Sequence, residues 1–185
     1  MEILGAMRPE AAVVLLFLLS GSGCLFDDHP HPPANLGKMG KLWGSAENLD
    51  VVQSPDRVEA FRLRPAQEQG VPYNRWPTSA GPVRVAPAVA QRLSTGLTRP
   101  STYGTWDAPK ACEPRPGLLL RFHQAGRSVD VAFCFECDIL FTYRADESIW
   151  YANFDEHHDD ILKVFIEVFP KDASLPALLK KRDNP

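Results

Sequence analysis

From Leu118 to Tyr143 apolar residues recur at every second position. Leu118, Leu120 and Phe122 alternate with Leu119, Arg121 and His123, and Gln124-Ala125-Gly126-Arg127 then carries turn character. Val129, Val131, Phe133, Phe135, Cys137, Ile139, Phe141 and Tyr143 resume the alternation. A period of two predicts a β-hairpin with one apolar face. With Ala125-Gly126 as its loop, Phe122 faces Val129, Leu120 faces Val131 and Leu118 faces Phe133. All three pairs fall on the same face, so register and pattern agree. The second arm reads as one continuous strand through Cys134 and Cys137.

Val58 to Arg64 alternates as well and predicts a strand ending at Pro65. Gly70, Pro72, Pro77, Gly81 and Pro82 punctuate residues 66–82, which therefore read as a long loop. Val83-Arg84-Val85 is a short strand. Pro87 stands where a helix would begin, and Val89, Ala90, Leu93 and Leu97 follow at helical spacing, with an end near Gly96. A second irregular stretch runs from Thr98 to Gly117. Ile149 to Asn153 predicts a further strand. Asp155 is placed to cap a helix, with Glu156, Asp159 and Asp160 near its positive end. Ile161, Leu162, Phe165, Ile166, Val168 and Phe169 would form its buried stripe, and Pro170 would stop it. Leu162, Val164, Ile166 and Val168 also alternate as a strand would; the acidic start and the length favour helix. Leu175 to Arg182 reads as a short last helix. The fold class is α+β: a small antiparallel sheet with a prominent β-hairpin and two to three helices packed on one side. It forms a single α+β domain over residues 51–185.

Composition then narrows the function classes. The chain has 185 residues, 44% of them hydrophobic, with a formal charge of −3. That length suits one globular domain. Basic residues are scattered, and a nucleic-acid partner would leave a basic patch. Seventeen prolines point to many extended connections.

The first residues carry a signal of a different kind. Arg8 precedes an apolar run from Ala11 to Leu19, and the small residues Ser20 to Gly23 precede Cys24. A charged start, a short apolar run and a small-residue cleavage site make residues 1–23 a signal peptide. The run is shorter than the roughly 20 apolar residues needed to cross a bilayer. Met7 offers a second start that gives a cleaner signal. Ser22-Gly23-Cys24 resembles the lipobox of bacterial lipoproteins, with Gly21 standing where leucine is usual. The resemblance implies cleavage before Cys24, diacylation of that cysteine, often acylation of its new amino group as well, and attachment to the membrane through that lipid. Leu25 follows where inner-membrane lipoproteins often carry aspartate, so the resemblance implies an outer-membrane address. Residues 24–50, rich in proline and glycine, read as a lipid-anchored tether. His29 and His31 fall within it and read as linker.

The chain has four cysteines. In a regular strand, residues three apart point to opposite faces and their Cα atoms lie about 10 Å apart, beyond disulfide reach. Cys134 and Cys137 would then not bond each other, and a thioredoxin-like site would need its thiol at a helix start. Cys112, Cys134 and Cys137 with His123, His157 or His158 would complete a zinc set. A zinc C-x-x-C, however, lies on a tight turn, and structural zinc modules usually have two such pairs. An exported location favours oxidation instead. Cys112–Cys137 is preferred by its core-facing parity, and Cys112–Cys134 stands close behind because Pro114 and Pro116 make the approach irregular. Closing such a loop contributes about 3.5 kcal/mol in the chain-entropy model.

CEPRPGLLLRF, the G-R-S-V-D-V turn and strand, and CFEC together resemble a loosely defined set of small bacterial proteins. Their shared pattern is C-x-P-x-x-G, a hairpin and C-F-x-C. The resemblance covers roughly residues 58–169 and implies a domain type without an activity.

DEHHDD (155–160) has the composition of a metal cluster, but acidic residues at a helix start serve as caps, and adjacent histidines cannot share a helix face. The mature sequence contains no G-x-S-x-G elbow or phosphate-cradling glycine loop. Trp43, Trp76, Trp106 and Trp150 would line a groove or, more often, pack on sheets and under loops. No catalytic residue, metal ligand or cofactor is assigned. The expected role is that of a lipid-anchored cell-envelope protein acting as a non-enzymatic binding or structural module, which allows a protein partner in the envelope. Zinc binding through Cys112, Cys134 and Cys137 is the alternative, and an envelope hydrolase a distant third.

Overall fold

The computed structural model describes residues 37–64, 70–103, 110–144 and 147–182, with side chains through 179. The signal segment, Cys24, His29, His31 and Trp106 lie outside the described residues.

The described residues form a six-stranded antiparallel sheet in the order β2-β1-β3-β4-β5-β6. Its strands are β1 (Arg57–Leu63), β2 (Thr78–Arg84), β3 (Leu118–Gln124), β4 (Arg127–Cys134), β5 (Ile139–Arg144) and β6 (Glu147–Asn153). Five helices accompany it: α1 (Gly37–Trp43), α2 (Ala46–Gln53), α3 (Pro87–Leu97), α4 (His158–Val168) and α5 (Ser174–Arg182). The α+β class is as read from the sequence, on a larger sheet. No helix among the described residues is long and apolar enough to cross a membrane.

The first hairpin holds the expected register: Leu118 faces Phe133, Leu120 faces Val131 and Phe122 faces Val129. These side chains join Val58 and Ala60 of β1 and Leu140 of β5 in the main core. The helices supply the other wall: Leu42 and Trp43 from α1, Leu93 and Leu97 from α3, and Leu162 and Phe165 from α4. The opposite face is apolar too. Phe61, Leu63, Leu119, Ala132 and Tyr143 pack there beneath Tyr73 and Trp76. Aromatic side chains from a single-turn 3₁₀ segment (Tyr73–Arg75) and its flank thus cover part of the face the helices leave open.

Four expectations need correction. The second hairpin arm is not continuous. β4 ends at Cys134, Phe135 to Asp138 form a turn, and β5 begins at Ile139 opposite Cys134. Asp138 takes the left-handed conformation (φ 53°) that closes it; the short polar side chain of aspartate tolerates that region, so neither glycine nor proline is required. Because a cross-strand pair shares a face, the turn moves Ile139, Phe141 and Tyr143 to the face opposite Val129, Val131 and Phe133. The second correction concerns the loop read over 66–82, whose last part is strand β2. Gly81 (φ 99°) makes this pairing possible: a Cβ there would lie 2.5 Å from the Ala60 carbonyl oxygen of β1. The third is the helix start. Asp155 does not cap α4, which begins at His158 after a single 3₁₀ turn and has no side-chain cap.

The fourth is the tether. Residues 37–50 do not hang free of the domain but fold onto it as α1 and most of α2, with Leu42, Trp43, Val51 and Val52 fully buried. Ser45 caps α2 by accepting the Asn48 N–H at 3.2 Å. The carbonyls at the end of α1 are satisfied by side chains: Asn48 Nδ2 donates to Trp43 O (2.8 Å) and Thr142 Oγ1 to Leu42 O (2.6 Å). The first bond joins α2 to α1, and the second ties the segment to β5.

Candidate functional site

The chemistry-bearing side chains collect at the β4–β5 turn. Cys112 and Cys137 stand at disulfide distance there, with Cα atoms 5.9 Å apart. Cys134 is a buried free thiol. The parity on which the sequence reading preferred Cys137 does not describe the structure, because the turn replaces the strand. Cys134 and Cys137 instead share one small cluster with Ile139, against which Cys112 and Phe141 pack. The segment before β3 lies over this cluster: the Arg115 N–H donates to Cys134 Sγ at 3.3 Å, and the Glu113 carbonyl lies 3.7 Å from Cys137 Sγ.

Lys110 fixes the same corner from the other side. Its Nζ donates to Cys137 O (2.6 Å) and to the Asp155 carboxylate (2.7 Å). The Asp138 carboxylate accepts a hydrogen bond from His158 Nδ1. His158 is 4% exposed, with Phe135 edge-on to its ring at 5.2 Å and Phe154 stacked at 6.3 Å. Its Nε2 is buried and has no hydrogen-bond partner among the described residues. An imidazole enclosed in this way presents no nitrogen to a solvent-borne substrate, so the Asp138–His158 pair serves as a clasp between the turn and α4. Sequence reading weighed His158 only as a possible zinc ligand and did not see Lys110 or Asp138 at all. Their partners lie far along the chain, and no local spacing connects them.

The residues of the zinc alternative are placed as follows. Cys112 and Cys137 face each other, His123 lies elsewhere on β3 with Glu59 as partner (2.8 Å), and His157 lies 3.7 Å from Asp160. Among the described residues no group of three or more metal-ligating side chains is placed to hold an ion.

A polar row crosses the sheet face opposite the helices. Glu59, Arg121 and Asp130 occupy matching positions on β1, β3 and β4. Arg121 grips Asp130 through two bonds, Nε to Oδ1 at 2.7 Å and Nη2 to Oδ2 at 2.8 Å. Asp130 is 3% exposed, so this fork supplies the hydrogen bonds a buried carboxylate requires. The same bonds hold the guanidinium charged and raise its pKa further, against the opposing effect of burial. Next to the row, burial pushes the Tyr143 hydroxyl up to about 12. The row is a cross-strand tie: Arg121 is spent on Asp130, and Glu59 is held by His123 at 2.8 Å and Arg57 at 3.6 Å.

Two surface features remain. A groove of about 550 Å³ runs between α3 and α4, and the Arg92–Glu167 ion pair links the same two helices. On the edge strand β6, Trp150 and Tyr151 are exposed at 39% and 37% and stack at an interplanar angle of 10°. Lys41 of α1 lies 5.9 Å over Trp150. The other described tryptophans are packing residues: Trp43 is fully buried, and Trp76 meets Tyr73 edge-on at 5.0 Å. No family model, curated protein or solved structure matches this chain.

Proposed function

We propose that this is an exported protein held in the cell envelope by lipid on Cys24, with its folded part acting as a binding or structural module. The Cys112–Cys137 pair carries the reading. Thiols at bonding distance persist as a disulfide in exported compartments and are kept reduced in the cytosol. Residues 1–23 supply the export signal, and Leu25 after Cys24 favours the outer membrane. Two or three acyl chains at about 0.8 kcal/mol per buried CH₂ hold durably where one holds only marginally. The exposed Trp150–Tyr151 stack on the strand that ends the sheet among the described residues supports the binding role, since exposed large aromatics favour contact with another protein.

The test is fractionation of cells making the full chain and its Cys24→Ser variant. The parent sediments with membranes through a high-salt wash, and the variant leaves the membrane fraction while keeping the Cys112–Cys137 bridge. A variant that still sediments would sink the anchor. A parent found in the cytosol with all its thiols free would sink the export reading.

A further inference from the structure

The β4–β5 turn removes the geometric objection to C-x-x-C chemistry in this chain. Cys134 is the last paired residue of β4 and Ile139 the first of β5, so the loop has the four residues Phe135 to Asp138. Loops of that length are most often built around a type I turn, whose ends lie within about 7 Å of each other. That separation matches the Cα range of disulfides, roughly 4.4–6.8 Å. Cys137 thus has two cysteines beside it: Cys112, with Cα atoms 5.9 Å apart, and Cys134, three residues back across the turn and buried in the same cluster.

The sulfurs are gathered along one short piece of backbone. Cys134 Sγ accepts the Arg115 N–H at 3.3 Å, while Cys137 Sγ and Cys112 Sγ lie 3.7 and 3.9 Å from the Glu113 carbonyl. Ile139 and Phe141 complete the cluster. Cys134 is fully buried against this pair, and Cys112 is partly exposed on a segment without regular structure.

We propose that Cys112, Cys134 and Cys137 form a thiol–disulfide exchange site that presents Cys112 to small disulfides in the surrounding medium. The Cys134 thiol loses its proton and attacks Cys137 Sγ. As the Cys134–Cys137 bond forms, the Cys112–Cys137 bond breaks, and Cys112 leaves as a thiolate that takes up the proton. One disulfide and one thiol exist before and after, so this step needs neither oxidant nor reductant. The Cys112 thiol then gives up its proton and, as a thiolate, attacks a small disulfide such as cystine: the S–S bond of that disulfide breaks, one half stays on Cys112 as a mixed disulfide, and the other leaves as a thiolate that takes up the proton. The outcome does not depend on the lipid anchor; it requires only that the pair be oxidised.

The experiment incubates the oxidised full chain with iodoacetamide at mildly alkaline pH, quenches with acid and maps bridges and labelled thiols by mass. Label accumulates on Cys112 together with a Cys134–Cys137 bridge, at a rate independent of protein concentration. The Cys134→Ala variant, and Cys134→Ser should the first fold poorly, lose the Cys112 label. With cystine in place of iodoacetamide, half-cystine appears on Cys112. Three results would overturn the site: label confined to Cys134 with the Cys112–Cys137 bridge intact, label on Cys137 beside a Cys112–Cys134 bridge, or no label until the chain is unfolded. Mapping of the unsubstituted chain decides alone if neither variant folds.

Discussion

Arg62 shows how much a single side chain of this fold can tie together. Its guanidinium reaches from β1 to the α4–α5 connection, with Nε 2.6 Å from Asp172, Nη1 donating to Gly117 O at 2.8 Å and Nη2 to Ser174 Oγ at 3.1 Å. Burial pushes the Asp172 carboxyl up, but hydrogen bonds from Ser174 and the Arg62 charge outweigh it and hold the group below its ordinary value of 3.8. A carboxylate depressed in this way binds protons less readily folded than unfolded. Its contribution is therefore complete above pH 3.8 and is lost as the pH falls through the folded value. Asp172→Asn should cost about 0.5–1.5 kcal/mol at neutral pH, less than the full worth of charged hydrogen bonds because solvent screens this partly exposed pair. The deficit should shrink on acidification below that point, as urea melts across pH would show; a deficit that grows instead would refute the assignment. None of this is legible locally. Arg62 reads as one polar position in an alternating strand and Asp172 as a residue after a helix stop, and only the tertiary fold makes them neighbours.

The two hairpins explain what the sequence makes plain about elements and what it hides. The β3–β4 turn contains Gly126, and the apolar positions on both arms agree on one register, so pairing could be read residue by residue. The β4–β5 turn contains neither glycine nor proline, and apolar residues run through it at even spacing; the left-handed conformation falls to Asp138, whose carboxylate is then held by His158. Alternation does not report this turn, because Ile139, Phe141 and Tyr143 continue the odd-numbered apolar series while packing on the opposite face, which is apolar too. The readable turn offers the sharper stability test. Ala125 and Gly126 both have positive φ, 48° and 79°, the pattern of a type I′ turn. A Cβ in that region costs roughly 1 kcal/mol or more, offset in part by the entropy of a glycine. Ala125→Gly should raise stability by about 0.5–1 kcal/mol, because the backbone N–H at 125 donates to the Asp56 carboxylate (2.8 Å) and that bond survives the change of side chain. The urea midpoint should rise with an unchanged slope; a lower midpoint would contradict the strain.

At the scale of the whole molecule, the α+β class was legible because the hairpin and α4 carry strong periods, while the N-terminal limit of the folded unit was not. α1 is only seven residues long and contains two glycines and two lysines, so its apolar stripe never completes the repeats that announce a helix. Composition then reads as linker what tertiary packing turns into core. Leu42 and Trp43 are nonetheless fully exposed to nothing but protein, at 0% accessible each, with Val51 and Val52 of α2 beside them. Deleting a buried tryptophan costs about 3–5 kcal/mol, a large share of the 5–15 kcal/mol that holds a typical domain. A chain beginning at Gly37 should therefore unfold cooperatively in urea, whereas one beginning at Val51 should lose the transition or shift it far toward zero denaturant. The longer chain carrying Trp43→Ala should fall between them, which separates loss of the core contact from loss of the helices themselves. Equal midpoints for the Gly37 and Val51 chains would mean that α1 and the start of α2 merely rest on the domain, and the boundary would move back to residue 50.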